Sequence, residues 1–291
     1  MRFTDFARDR VPTNGTVLNV LRGGTEDGAS PAVVLLHGWC GSSWSWRKLA
    51  PLLADGHGVL VPDMRGYGDS DKPESGYDAR NEAADVLGLL DRFGVARAHV
   101  VGHDMGAPVA LAFSGLYPER TASVTWVDEP LLGFDTEGYT AFTDWNHGGF
   151  WQFGFNTTPG LAELMYAGRE EAFLSLIYGL MCRVKDAVTP EDVREQARGM
   201  KGPGGIARWV GWYRAALETD AQLRALAGRH AFRRPVLAVG GAGGIAGIGE
   251  EIKQAVPHAA GAVIEGCGHL IAKERPEELA ALLRTHFARV S

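Results

Sequence analysis

Disulfide chemistry has little to work with in this chain. Three cysteines, Cys40, Cys182 and Cys267, are scattered with no CxxC spacing, so neither a disulfide framework nor a zinc site is expected. No apolar run approaches the ~20 residues that span a bilayer. The stretch Met1 to Gly15 carries charges throughout and has no apolar core of the kind a secretory signal needs. These absences predict a cytoplasmic protein without a membrane partner. Positive charge is scarce too. Twenty-nine Lys and Arg against 35 Asp and Glu leave a net charge of -6, which argues against a nucleic-acid partner, because phosphate recognition needs a basic footprint. Internal repeats and low-complexity tracts are also missing.

What is present is an ordinary globular composition, with 45% hydrophobic residues in 291, enough to bury a core without staples. Short apolar runs at Ala32 to Leu36, Val59 to Pro62, Ala98 to Val101, Val124 to Val127, Pro235 to Val239 and Gly261 to Ile264 read as strands buried on both faces. Helical spacing separates them at Ala79 to Phe93 and Ala107 to Tyr117. A final amphipathic helix over Pro276 to Val290 turns Leu279, Leu282, Leu283 and Phe287 inward. The alternation predicts an α/β fold, a mostly parallel sheet flanked by helices. It fails between about Pro130 and Ala227, a stretch rich in aromatics and helical spacing. The predicted organisation is therefore a core domain over 1–130 and 228–291, with a helical cap over 131–227 roofing the carboxyl ends of the strands, where open α/β sheets place their sites.

The central motif is Gly102-His103-Asp104-Met105-Gly106, between a strand and a helix. It has the form of the strand–turn–helix elbow G-x-S-x-G, with Asp where Ser is usual. Asp104 reads as a nucleophile; a helix N-cap is the other reading of the same position. Two further loops favour the first. His37-Gly38-Trp39 follows an upstream strand, which makes the backbone N–H groups of Trp39 and Met105 the natural oxyanion donors. Gly266-Cys267-Gly268-His269 follows the last predicted strand and puts a histidine where the order nucleophile, acid, histidine requires one.

Taken together, His37 to Pro51, Asp63 to Pro73, Gly102 to Gly106, Phe150 to Glu163, Trp212 to Ala216 and Gly266 to Leu270 resemble the epoxide hydrolase family of α/β-hydrolases, close to the haloalkane and fluoroacetate dehalogenases. The resemblance implies the α/β-hydrolase fold, no cofactor, and Asp104 and His269 as catalytic residues. Many members carry the third, acidic residue on the loop after the strand read here as Pro235 to Val239; that loop is Gly240 to Gly244, without a carboxylate. Some bacterial epoxide hydrolases carry it before a proline at the cap junction. Here that junction reads Val127-Asp128-Glu129-Pro130, which implies Asp128, with Glu129 as runner-up and Glu250 more remote.

A carboxylate nucleophile suits attack at a saturated carbon, where it leaves an alkyl ester that a His-activated water then hydrolyses. The resemblance implies an epoxide whose oxygen is protonated from the cap. Tyr213 matches the cap tyrosine, and packing in the cap core is its plainer reading. The second cap donor is His or Tyr in relatives, but Gln152 stands there in Trp151-Gln152-Phe153-Gly154-Phe155, with Trp151 as an adjacent indole donor. Gln152, Trp151, His37 and Phe153 are expected to bind the leaving group or substrate; His147 reads as a loop residue. Haloalkane dehalogenases place Trp, and fluoroacetate dehalogenases Arg, directly after the nucleophile; this chain has Met105. Hydrolytic dehalogenation is the alternative activity, and a binding protein on an inactive hydrolase scaffold is the alternative from another class. Phe150, Trp151, Phe153, Phe155, Trp39, Trp145 and Trp212 suggest an apolar pocket for a bulky or aromatic small molecule. A homodimer is a possible assembly.

Overall fold

The computed structural model describes residues 1–25, 30–131, 134, 150–202 and 204–290. Trp145 and His147 lie outside the described residues. Eight strands form one sheet: β1 (Ala7–Thr13), β2 (Thr16–Gly24), β3 (Ala32–Leu36), β4 (Gly58–Pro62), β5 (Ala98–His103), β6 (Thr121–Val127), β7 (Val236–Gly241) and β8 (Ala260–Ile264). Their order is β1-β2-β4-β3-β5-β6-β7-β8. β1 and β2 pair antiparallel, as do β2 and β4; every pairing from β4 through β8 is parallel.

The short apolar runs make this sheet because both its faces are covered. Successive strand residues point to opposite sides. Val34 and Leu36 of β3 pack in one cluster with β5, α2 (Ala79–Arg92) and α3 (Gly106–Leu116); Val33 and Leu35 pack in a second with α12 (Pro276–Ala288) and the short α1 (Ala50–Leu53) and α11 (Ile271–Glu274). α3 is apolar on every side and runs through the middle of the fold, buried from Gly106 to Ser114.

Between β6 and β7 the described residues form helices and no strand: α4 (Trp151–Thr157), α5 (Leu161–Tyr166), α6 (Glu170–Met181), α7 (Pro190–Met200), α8 (Gly205–Trp209) and α9 (Gly211–Gly228). One more short helix, α10 (Ile248–Glu251), follows β7. Among the described residues no helix is long and apolar enough to cross a membrane.

The chain leaves β3 for β4 on one side and returns to β5 on the other. The carboxyl ends of β3 and β5 therefore flank a topological switch point, the crevice where such sheets bind ligands.

Candidate active site

Asp104 follows β5 at that crevice with φ 52°, and Asp128 follows β6 with φ 48°. This left-handed region is unfavourable for a non-glycine residue and persists only where the surroundings impose it. They do so here through the ladder. Asp104 N–H bonds Val127 O at 3.0 Å, and Asp128 N–H bonds Val239 O at 2.9 Å. The turn also needs neighbours without side chains: a β-carbon at Gly38 would lie 2.3 Å from the Asp104 β-carbon, and one at Gly244 would lie 2.3 Å from Asp128 Oδ2. Glycine at these positions lets two backbone loops approach the carboxylates closely.

The two oxygens of Asp104 have different surroundings. Oδ1 accepts the backbone N–H groups of Trp39 and Met105, each at 2.7 Å. Oδ2 lies 3.1 Å from His269 Nε2. The N-terminus of α3 adds its positive end to the same carboxylate. Burial pushes the Asp104 carboxyl upward, but the His269 hydrogen bond and charge, with the Met105 N–H, outweigh it and hold the group below its ordinary value. It is a pre-oriented carboxylate.

His269 Nδ1–H donates to Asp128 Oδ2 at 2.8 Å, while Asp128 Oδ1 accepts the N–H groups of Gly241 at 2.6 Å and Ile245 at 3.0 Å. Asp128 is fully buried, and every hydrogen bond to it comes from a fixed donor. Burial disfavours an imidazolium at His269, yet the two flanking carboxylates raise it well above the usual histidine value. Glu129, the runner-up for this position, turns elsewhere. Glu250 is exposed and pairs with Lys253 at 2.6 Å.

Asp104, His269 and Asp128 form one wall of a cavity of about 330 Å³. The opposite wall comes from the helical segment: Phe150, Gln152 and Phe153, Leu180 and Met181 of α6, and Trp212 and Tyr213 of α9. Tyr213 is held by rings on two sides, Trp39 and Phe153, each edge-on at 5.1 Å. The Gln152 side-chain oxygen and the Trp212 indole N–H are buried with no hydrogen-bond partner among the described residues.

Two expected contacts are corrected. His37 does not reach the cavity: it is fully buried, its Nδ1–H donates to Gly38 O at 2.9 Å, and its Nε2 accepts the Met64 N–H at 3.0 Å. Its ring nitrogens tie the loop that carries Trp39 to the loop after β4. Trp151 also stays outside, its ring packed edge-on against Phe155 at 5.5 Å. Of the expected aromatic lining, Phe150, Phe153 and Trp212 face the cavity; Trp39 contributes its backbone while its ring packs against Trp209 at 4.9 Å.

Two residues that sequence reasoning passed over support the histidine. His103 donates from Nε2 to His269 O at 2.9 Å, with ring centroids 4.6 Å apart. Burial, and then the nearby His269 charge, push His103 down to about 4, so it stays neutral. Glu274 accepts the N–H groups of Gly268 at 3.0 Å, Leu270 at 3.1 Å, Arg183 at 2.7 Å and Val184 at 2.9 Å. It ties the His269 loop to the chain that follows α6. His103 lay inside the elbow motif and could have been noticed there. Glu274 has no sequence signal, because its partners are main-chain groups.

Comparison with known proteins gives the family of the fold. Residues 31–276 match the family model described as alpha/beta hydrolase fold. The chain is 30% identical over 260 residues to a soluble epoxide hydrolase of Corynebacterium sp., covering 86% of this chain and 87% of the relative. It is 27% identical over 229 residues to a fluoroacetate dehalogenase of Burkholderia sp., covering 76% and 73%. The crystal structure of Cfl2 from Burkholderia cenocepacia superposes with a TM-score of 0.89 at 33% identity, over 97% of this chain and 95% of that one.

Proposed function

Since the chain belongs to the α/β-hydrolase fold family, in its epoxide hydrolase branch, and is a hydrolase, we propose that it opens an epoxide by attack of Asp104 and releases a diol through hydrolysis of the resulting ester. The observation that carries this is the seating of Asp104. One oxygen is held by two N–H donors, which leaves the other as the attacking atom at the cavity wall. In the ring-opening step Oδ2 bonds to the epoxide carbon, and the C–O pair departs onto the epoxide oxygen beside Tyr213. In the second step His269 Nε2 takes a proton from water, and the hydroxide adds to Cγ of Asp104. The charge that develops on Oδ1 then falls on the Trp39 and Met105 N–H groups already aimed at it. Asp128 holds the His269 ring and its tautomer throughout.

Forming the ester also prepares the base. It removes the Asp104 charge, one of the two supports of the His269 imidazolium. The histidine can then release its proton and accept another from water. The helices between β6 and β7 serve as the cap that excludes bulk solvent from this sequence, and the Phe150, Phe153 and Trp212 rings favour a bulky or aromatic substrate in the cytoplasm.

One observation keeps dehalogenation as a second reading: the buried, unpartnered Trp212 N–H on the cavity wall is a group able to bind halide. The test is a single turnover with enzyme in excess over an aryl epoxide in heavy-oxygen water. The proposal expects a diol free of label and heavy oxygen in the Asp104 peptide. Label in the diol on the first turnover would mean direct attack by water.

A further inference from the structure

Glu129 is a buried carboxyl group that the mechanism above does not use. It follows Asp128 directly, but the two side chains diverge. Asp128 takes His269 and two main-chain N–H groups, whereas Glu129 lines the cavity with Asp104, Gln152 and Tyr213. Glu129 is 5% exposed. The hydrogen bond it makes among the described residues is through its main-chain oxygen, from Trp126 Nε1 at 2.6 Å. Among the described residues, the charged groups that act most on its carboxyl are Asp104, Asp128 and His269 on the core side and Asp220 on α9. Among the described residues, an ionised Glu129 would face three carboxylates against His269 and the Arg183 of the same cavity, with no hydrogen bond made to its carboxyl. A carboxyl in that setting keeps its proton. Burial, then the charge of Asp104, lift it well above the carboxylate range.

The cavity needs such a group. Gln152 can donate a hydrogen bond but has no proton to give up. Burial pushes the Tyr213 phenol well above its ordinary value, so it suits hydrogen bonding to a developing alkoxide better than proton transfer. We propose that Glu129 is a further catalytic residue, a neutral carboxylic acid that protonates the departing oxygen while Tyr213 orients it. The inference rests on the epoxide-opening reading.

Proton bookkeeping closes without an outside acid. At rest Asp104 is a carboxylate, His269 an imidazolium and Glu129 neutral. Asp104 Oδ2 forms the bond to carbon, the C–O bond breaks, and the Glu129 proton goes to that oxygen, leaving a hydroxy ester and a Glu129 carboxylate. With the Asp104 charge gone, the His269 proton passes to Glu129. Neutral His269 then deprotonates water, hydroxide adds to Cγ, and collapse expels the second oxygen. That oxygen takes the proton of the new Asp104 carboxyl, which restores the resting state.

The test uses the full chain in a His269→Gln background, where the ester accumulates and its formation is timed by rapid quench and intact mass with an aryl epoxide. Adding Glu129→Gln, a near-isosteric neutral change, should slow ester formation by about 10²-fold, the scale of a positioned general acid. The His269→Gln parent should lose rate as pH rises above the ordinary carboxylate range and Glu129 ionises, and the double variant should not. A residue that merely packs would leave the pH profile unmoved. Equal rates in parent and double variant overturn the proposal. If the double variant does not fold, a flat pH profile in the parent overturns it alone. Absence of any epoxide adduct in the parent is a different result and removes the underlying reading with it.

Discussion

His269 sits between two carboxylates, 2.8 Å from Asp128 and 3.1 Å from Asp104, and its proton is part of what holds the site together. Its folded value is raised, so the stability it contributes is fully present below the unfolded value of about 6.5. That stability is lost as pH rises through the folded value. Glu129 is raised as well, so its share is present below about 4.5 and declines above it. Asp104 and His103, both held below their ordinary values, act in the opposite sense and lose stability in acid, so thermal unfolding at stepped pH is read as the difference between each variant and the parent. Glu129→Gln should remove the slope that begins near the carboxylate range, and His269→Gln the slope that begins near neutrality. Asp128→Asn would spoil the tautomer of His269 while leaving Asp104 free to attack. Turnover should fall by about 10³-fold or more, with ester accumulating in a burst before the steady state. A fall without ester would point to damage in the first step. The sequence made Asp104 and His269 readable because each stands in a glycine-bounded motif. The proline at the cap junction favoured Asp128 over Glu129 in the sequence but did not show why the two neighbours part; the turn with φ 48° sets Asp128 2.8 Å from His269 Nδ1.

At the scale of elements, the site depends on loops that touch without side chains between them. Gly244 follows β7 and presses on Asp128, with room for no β-carbon. Gly244→Ala should cost about 1–3 kcal/mol of stability and reduce turnover at least tenfold, because the carboxylate must shift away from His269; urea titration and kcat check the two parts. A second junction joins the helices of the 150–228 segment to the rest of the fold. Asp192, at the start of α7 and fully buried, accepts from Trp44 Nε1 at 3.0 Å, Arg47 Nη2 at 2.7 Å and Thr189 N–H at 2.8 Å, with Lys273 Nζ 3.5 Å away. Burial lowers Lys273 to about 8, and Asp192 is what keeps it charged. Asp192→Ala would strand the buried lysine and half-free the arginine, at a cost of about 3–5 kcal/mol in denaturant unfolding. A cost under 1 kcal/mol would mean that these groups find other partners. No sequence pattern announces this network, since its members are far apart in the chain and individually ordinary. The helices themselves were legible as a break in strand alternation.

For the molecule as a whole, the parallel part of the sheet was legible because strands buried on both faces are short apolar runs with sharp ends. β1 and β2 were not. β1 is an edge strand, Ala-Arg-Asp-Arg-Val-Pro-Thr, whose arginines point outward to Asp69 and Asp71 while Val11 and Thr13 turn inward. Charge on an edge discourages unwanted pairing, and it also hides the strand from a reading based on apolar runs. The order of the sheet does the remaining work. It brings residues far apart in the chain, on the loops after β3, β5, β6 and β8, to one end of the fold around one cavity. The central claim is that Asp104 becomes covalently alkylated there. Intact-mass analysis of the His269→Gln variant after exposure to an aryl epoxide tests this most directly. The account expects a gain of the whole epoxide mass, located to the peptide that contains Asp104. Consumption of the epoxide with Asp104 unmodified, or an adduct on another residue, would contradict it.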